Sequence, residues 1–134
     1  MTILLCCFAL PGTAALAQGT QNEEAKLLAS DGEEAARFGS SVGISGDAAI
    51  CGAPYTSGYI HDPGRAYVYR YDPVAQTWNE EQKLTASDGD ISDYFGDHVA
   101  IDGDFAVIGA WGDDDRGSWA GAAYVFRYLS LIHI

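Results

Sequence analysis

Lys26-Leu27-Leu28-Ala29-Ser30-Asp31-Gly32 returns as Lys83-Leu84-Thr85-Ala86-Ser87-Asp88-Gly89, and this echo decides the architecture. The offset, about 57 residues, holds without a gap to Tyr71 in the first copy and Tyr128 in the second. Phe38-Gly39 falls on Phe95-Gly96, Gly46-Asp47 on Gly103-Asp104, and Gly52-Ala53 on Gly109-Ala110. Gly64 falls on Gly121, and Ala66 to Tyr71 on Ala123 to Tyr128. About 21 of the 46 aligned positions are identical, far above chance for an ungapped comparison. The body of the chain is therefore one unit written twice.

Each unit reads as strands and turns. Val42 and Ile44, like Val99 and Ile101, alternate with small or polar residues, the period of a strand. Gly46-Asp47 and Gly103-Asp104 then mark hairpins, because glycine accepts the positive φ of a tight turn. A second apolar run follows, Ala48 to Cys51 and Phe105 to Ile108. Cys51 stands where Ile108 stands, as a small core filler. After a variable loop (Pro54–Pro63, Trp111–Ala120), Ala66 to Tyr71 sets Tyr67, Tyr69 and Tyr71 on one face, with Val68 and Arg70 on the other. Asp72-Pro73 turns the chain, and Thr77 to Leu84 supplies a fourth strand with Trp78. Glu23–Leu28 and Glu33–Arg37 are long enough for a turn of helix and no more. The expected class is all-β: two four-stranded antiparallel blades, a fragment of a larger β-propeller. A β-sandwich is the structural rival, but it does not account for an ungapped repeat.

Phe38-Gly39 with Gly52-Ala53-Pro54, and Phe95-Gly96 with Gly109-Ala110, resemble the FG-GAP repeat of integrin α-subunits and of many bacterial secreted proteins. Gly64-Arg65-Ala66-Tyr67-Val68-Tyr69 and Gly121-Ala122-Ala123-Tyr124-Val125-Phe126 resemble the bacterial form. The resemblance runs from Lys26 to Tyr128. It implies a seven-bladed propeller used mostly for adhesion or ligand binding, to which further blades of the same chain must be added before the ring closes. Trp111 replaces the proline in the second copy. The Ca²⁺ loop of the family is a DxDxDG-like stretch. Here Ser45-Gly46-Asp47-Ala48 and Asp102-Gly103-Asp104-Phe105 stand in its place, too short to supply six to eight oxygens.

The divisions follow. Residues 1–17 read as a signal peptide: Ile3 to Leu10 is apolar, Pro11-Gly12 breaks it, and Ala15-Leu16-Ala17 gives the cleavage spacing. No lysine or arginine precedes the apolar stretch, so either the start lies upstream or the signal is weak. Residues 18–25 form a linker, 26–82 the first blade, and 83–128 the second, incomplete one. Residues 129–134, Leu-Ser-Leu-Ile-His-Ile, match nothing upstream and read as a non-native tail. Cleavage would remove Cys6 and Cys7 and leave Cys51 without a disulfide partner. The product is expected to be secreted, periplasmic or on the cell surface, with no membrane insertion once the signal is gone.

The net charge of −12, from 19 acids against 7 bases, disfavours nucleic acid and anionic membranes as partners. For catalysis, His98 aligns with Ser41 on a strand, His61 lies in a variable loop and His133 in the tail, and no nucleophile is paired with a base. The sequence therefore predicts no enzyme and no catalytic residue. Asp113, Asp114 and Asp115 are the candidate metal ligands, for Ca²⁺ if any ion, against a reading as plain turn residues. Tyr55, Tyr59, Trp111 and Trp119 on the variable loops are the candidate ligand contacts, for a protein or a carbohydrate. The alternative to packing at a ligand is packing on the next blade. The functional expectation is a non-catalytic binding or adhesion module; the alternative is the scaffold propeller of a secreted enzyme.

Overall fold

The computed structural model describes residues 21–55 and 62–128. The segments read from the sequence as a signal peptide (1–17) and a tail (129–134), together with Tyr59 and His61, lie outside the described residues.

The described residues hold seven strands: β1 (Val42–Ser45), β2 (Ala48–Ala53), β3 (Arg65–Asp72), β4 (Thr77–Leu84), β5 (His98–Asp102), β6 (Phe105–Ala110) and β7 (Ala122–Arg127). Two antiparallel meanders result, in the orders β1-β2-β3-β4 and β5-β6-β7. The second sheet has three strands among the described residues, which end at Tyr128, in keeping with a second unit expected to be incomplete. No helix forms. Ala35 and Arg37 take positive φ, 62° and 53°, which ends any helical turn over Glu33–Arg37.

The registers repeat as the sequence does. Val42 faces Cys51 and Val99 faces Ile108 in the first hairpins, and Cys51 faces Tyr67 as Ile108 faces Tyr124 in the next. Both meanders close the same way, with Tyr71 N–H donating to the Asp47 carbonyl (2.8 Å) and Tyr128 N–H to that of Asp104 (2.7 Å). A β-bulge opposite Val68 and Tyr69 frees Glu81 from the ladder. Its carboxylate accepts from Arg70 Nε (3.2 Å) and from the Tyr128 hydroxyl (2.8 Å), tying the first sheet to the end of the second.

The two sheets stack face to face. Ile50, Ala66, Val68 and Leu84 of the first meet Phe95, Ala106, Ile108 and Ala110 of the second, with Tyr124 and Phe126 at the margin. Phe95 is the centre of this layer, fully buried. The opposite face of the first sheet gathers Ala49, Cys51, Ala53, Tyr67 and Tyr69 under Leu27, Ala29 and Phe38, the segment that leads into the unit. Burial among these groups pushes the Cys51 thiol pKa up, as a core filler requires. Ser41 and Ser45 hold β1 against β5, their hydroxyls accepting from Val99 N–H and Gly103 N–H at 3.0 Å each.

The repeated glycines lock the sheets together. Gly96, from the FG pair of the second unit, lies backbone to backbone on Gly52, from the GAP triplet of the first. A Cβ on Gly52 would penetrate the Gly96 carbonyl, and one on Gly96 would penetrate that of Arg65. Beside them Phe95 N–H donates to the Pro63 carbonyl (2.7 Å), and Gly64 bridges Phe95. The FG of one unit thus docks on the GAP of the unit before it.

Candidate functional site at the loop end

Above this glycine contact the connections of both units converge. Arg37 and Tyr94 occupy the same repeat position, just before Phe-Gly, and both hold positive φ (53° and 57°). That backbone aims both side chains at the loops following β2 and β6. Arg37 places its guanidinium 4.4 Å from the Tyr55 ring centre. Tyr55 packs on Tyr94 (5.3 Å), Tyr94 stacks on Trp111 (4.7 Å, 3° between planes), and Trp111 stacks on Trp119 (5.2 Å, 16°). One column of rings therefore crosses from the first unit to the second. Trp111 remains 47% exposed and Trp119 60%.

The loop carrying the tryptophans is short and internally bonded. Gly121 N–H donates to the Asp113 carbonyl (2.8 Å), Gly117 N–H to that of Asp114 (3.0 Å) and Ala120 N–H to that of Gly117 (2.9 Å). Trp119 is left at φ 58°, a conformation that costs a non-glycine residue about 1 kcal/mol or more. Three of the four candidate contacts, Tyr55, Trp111 and Trp119, thus come together; Tyr59 is not described. The sequence did not reveal that Tyr94 and Arg37 complete the column. Their common repeat position, one step before Phe-Gly, was the available signal.

The candidate metal ligands do not converge. Asp113 is buried and turned inward, accepting from Asp115 N–H (3.2 Å) and from the Tyr124 hydroxyl (3.0 Å), while Asp114 and Asp115 face water. Among the described residues no three His, Cys, Asp or Glu side chains are placed to hold one ion. The Tyr124 hydroxyl also lies 2.9 Å from Asp88, and its single proton serves one carboxylate at a time. Burial and the two carboxylates push the Tyr124 pKa up. Burial also raises Asp93, while Asp113 and neighbouring acids raise Asp115.

The same position in the first unit is neutralised. Tyr67 donates to Asp31 (2.7 Å), as Tyr124 does to Asp88, but Lys83 Nζ also reaches Asp31 at 2.8 Å. Arg65 lies buried beside it, paired with Glu33 (3.3 Å) and Asp62, its Nε without a partner among the described residues. Hydrogen bonds from Lys83 and Tyr67 hold the Asp31 carboxyl at about 2. Desolvation works against the Arg65 charge, yet its bonds to Glu33 and Tyr67 raise its pKa. His98, on β5, is exposed and pairs with Asp97 (2.9 Å).

The model of the FG-GAP repeat matches residues 22–69 and again 78–126, the two units whose contacts have just been described. The chain belongs to the FG-GAP repeat family. No curated protein matches it. The rings Tyr55, Tyr94, Trp111 and Trp119 and the acids Asp113, Asp114 and Asp115 stand at repeat positions where the two FG-GAP units differ, whereas Asp31 and Asp88 share one repeat position.

Proposed function

We propose that this FG-GAP chain is a non-catalytic binding or adhesion module, two blades of a β-propeller that acts outside the cell or at its surface. The observation that carries this reading is the water-exposed pair Trp111 and Trp119 on a short, internally bonded loop. Large aromatics held in water on a rigid support contribute most when a partner covers them.

The reading also includes further blades. Ile50, Ala66 and Val68 of the first sheet cover the second; their repeat equivalents, Val107, Ala123 and Val125, are exposed, Val107 at 40% and Val125 at 67%. Another FG-GAP unit stacked by the same operation would cover them, using its own Leu-x-Ala and Phe-Gly segments.

Exchanging residues 54–63 and 111–120 for Gly/Ser-rich loops tests the module. Beads coated with the chain are expected to lose adhesion to a panel of extracellular matrix proteins and glycans, while the circular-dichroism signature of strand is kept. Adhesion that survives the exchange would place the binding surface elsewhere.

A further inference from the structure

The repeat begins upstream of its first lysine. Asn22-Glu23-Glu24-Ala25-Lys26-Leu27 matches Asn79-Glu80-Glu81-Gln82-Lys83-Leu84 at the same offset, with five of the six residues identical. The two family matches likewise start at 22 and 78. The later stretch is most of β4, which closes the first sheet against β3. The earlier one has the residues of such a strand, yet Asn22 to Lys26 are exposed and form no strand. Residues 18–25, read from the sequence as a linker, thus run into a β4 that has no sheet.

The second sheet has the opposite deficit. β7, the equivalent of β3, pairs only with β6 among the described residues, so one edge is open. Moving the β3–β4 register along by one repeat sets Leu27 opposite Ala123, Lys26 opposite Tyr124 and Ala25 opposite Val125, with Glu24 at the bulge. The charges then match. In the first sheet Arg70 pairs with Glu81 and Lys83 with Asp31; the equivalents are Arg127 with Glu24 and Lys26 with Asp88. The ion pairs of the described residues include none of these four.

Faces and glycines agree. Leu84, Ala86 and Phe95 pack into the layer between the two sheets, whereas Leu27, Ala29 and Phe38 cover the outer face of one. Val42 and Ile44 are 64% and 68% exposed, although their equivalents Val99 and Ile101 pack into the junction. Val107 and Val125 are exposed at the other end. Gly39 and Gly109 are the equivalents of Gly96 and Gly52, and a Cβ on either would meet nothing from another unit. The two ends of the molecule are therefore the two halves of its own internal junction. Leu27 lies on the face of the first sheet turned away from the second, so its strand cannot reach β7 of the same copy.

Resting on the reading that another unit covers the second sheet, we infer that this unit comes from a second copy of the chain. Residues 22–27 of one copy add to the β7 edge of the next as its fourth strand, head to tail. The contact joins different surfaces of the two copies, so it can repeat from copy to copy.

Sedimentation of the full chain from about 1 to 500 µM tests this and should show association that rises with concentration. Ala25→Pro with Lys26→Pro removes one N–H from each side of the added strand and should weaken association about tenfold or more. Val107→Lys with Val125→Lys, on the receiving face, should do the same. Mixed together, the two variants should form a one-to-one pair and nothing larger, because the first keeps its β7 face and the second its strand. Circular dichroism checks that the strands persist; if the double-lysine variant loses them, Arg127→Glu takes its place. A wild-type chain that stays monomeric throughout overturns the inference. So does association indifferent to the prolines, or a mixture that fails to pair. In each of these cases the binding module still stands or falls separately, by the bead adhesion of the loop exchange.

Discussion

Asp31 shows how a single residue of the repeat is tied to stability. Its carboxylate binds Tyr67 and Lys83, and its pKa falls to about 2 from an ordinary 3.8. A group lowered on folding stabilises the protein above its unfolded pKa, and the benefit disappears as pH falls through the folded value. Asp31→Asn should therefore cost about 1 kcal/mol at neutral pH, a figure reduced for the solvent around this half-exposed side chain. In denaturant melts, wild type and variant should converge between about pH 4 and pH 1; a gap that persists at about pH 1 would assign the loss to something other than charge. Arg65 makes a larger contribution, being buried among three acids. Arg65→Ala, which installs the residue of the second unit at Ala122, should destabilise by about 2–3 kcal/mol. A drop below about 0.5 kcal/mol would mean the acids are satisfied by water.

At the scale of elements, the sequence was explicit wherever a residue's role is local. The hairpins at Gly46-Asp47 and Gly103-Asp104 and the strand Thr77–Leu84 follow from turn chemistry and alternation, and the structure places them there. Cys51, Tyr67 and Tyr69 fall in the core where their repeat positions put them. Contacts between units were not legible. Alternation along Tyr67 to Tyr71 says that a face is buried, not that Leu27, Ala29 and Phe38 cover it. Nor does a period report that Arg37 and Tyr94, with positive φ, turn toward the loops of two different units. The segments entering the two units make the point testable, since Phe38 caps an outer face and Phe95 is enclosed between two sheets. Phe95→Ala should cost about 3–5 kcal/mol and Phe38→Ala about half as much, measured by urea unfolding. Equal losses would mean that both rings are enclosed to the same extent.

For the whole molecule the central claim is that equivalent sheets stack in series, the FG of each unit seated on the GAP of the one before. Family membership establishes the repeat, and the packed layer from Ile50 to Ile108 shows one such junction among the described residues. Gly52 and Gly109 are the same residue of the repeat in two settings. Gly52 faces the Gly96 backbone across the junction, whereas a Cβ on Gly109 would meet only His98 at an ordinary 3.5 Å. The most direct measurement is the urea midpoint of Gly52→Ala beside that of Gly109→Ala. Serial stacking predicts a loss of about 3 kcal/mol or more for the first and less than about 1 kcal/mol for the second. Equal effects, or a tolerated Gly52→Ala, would contradict it.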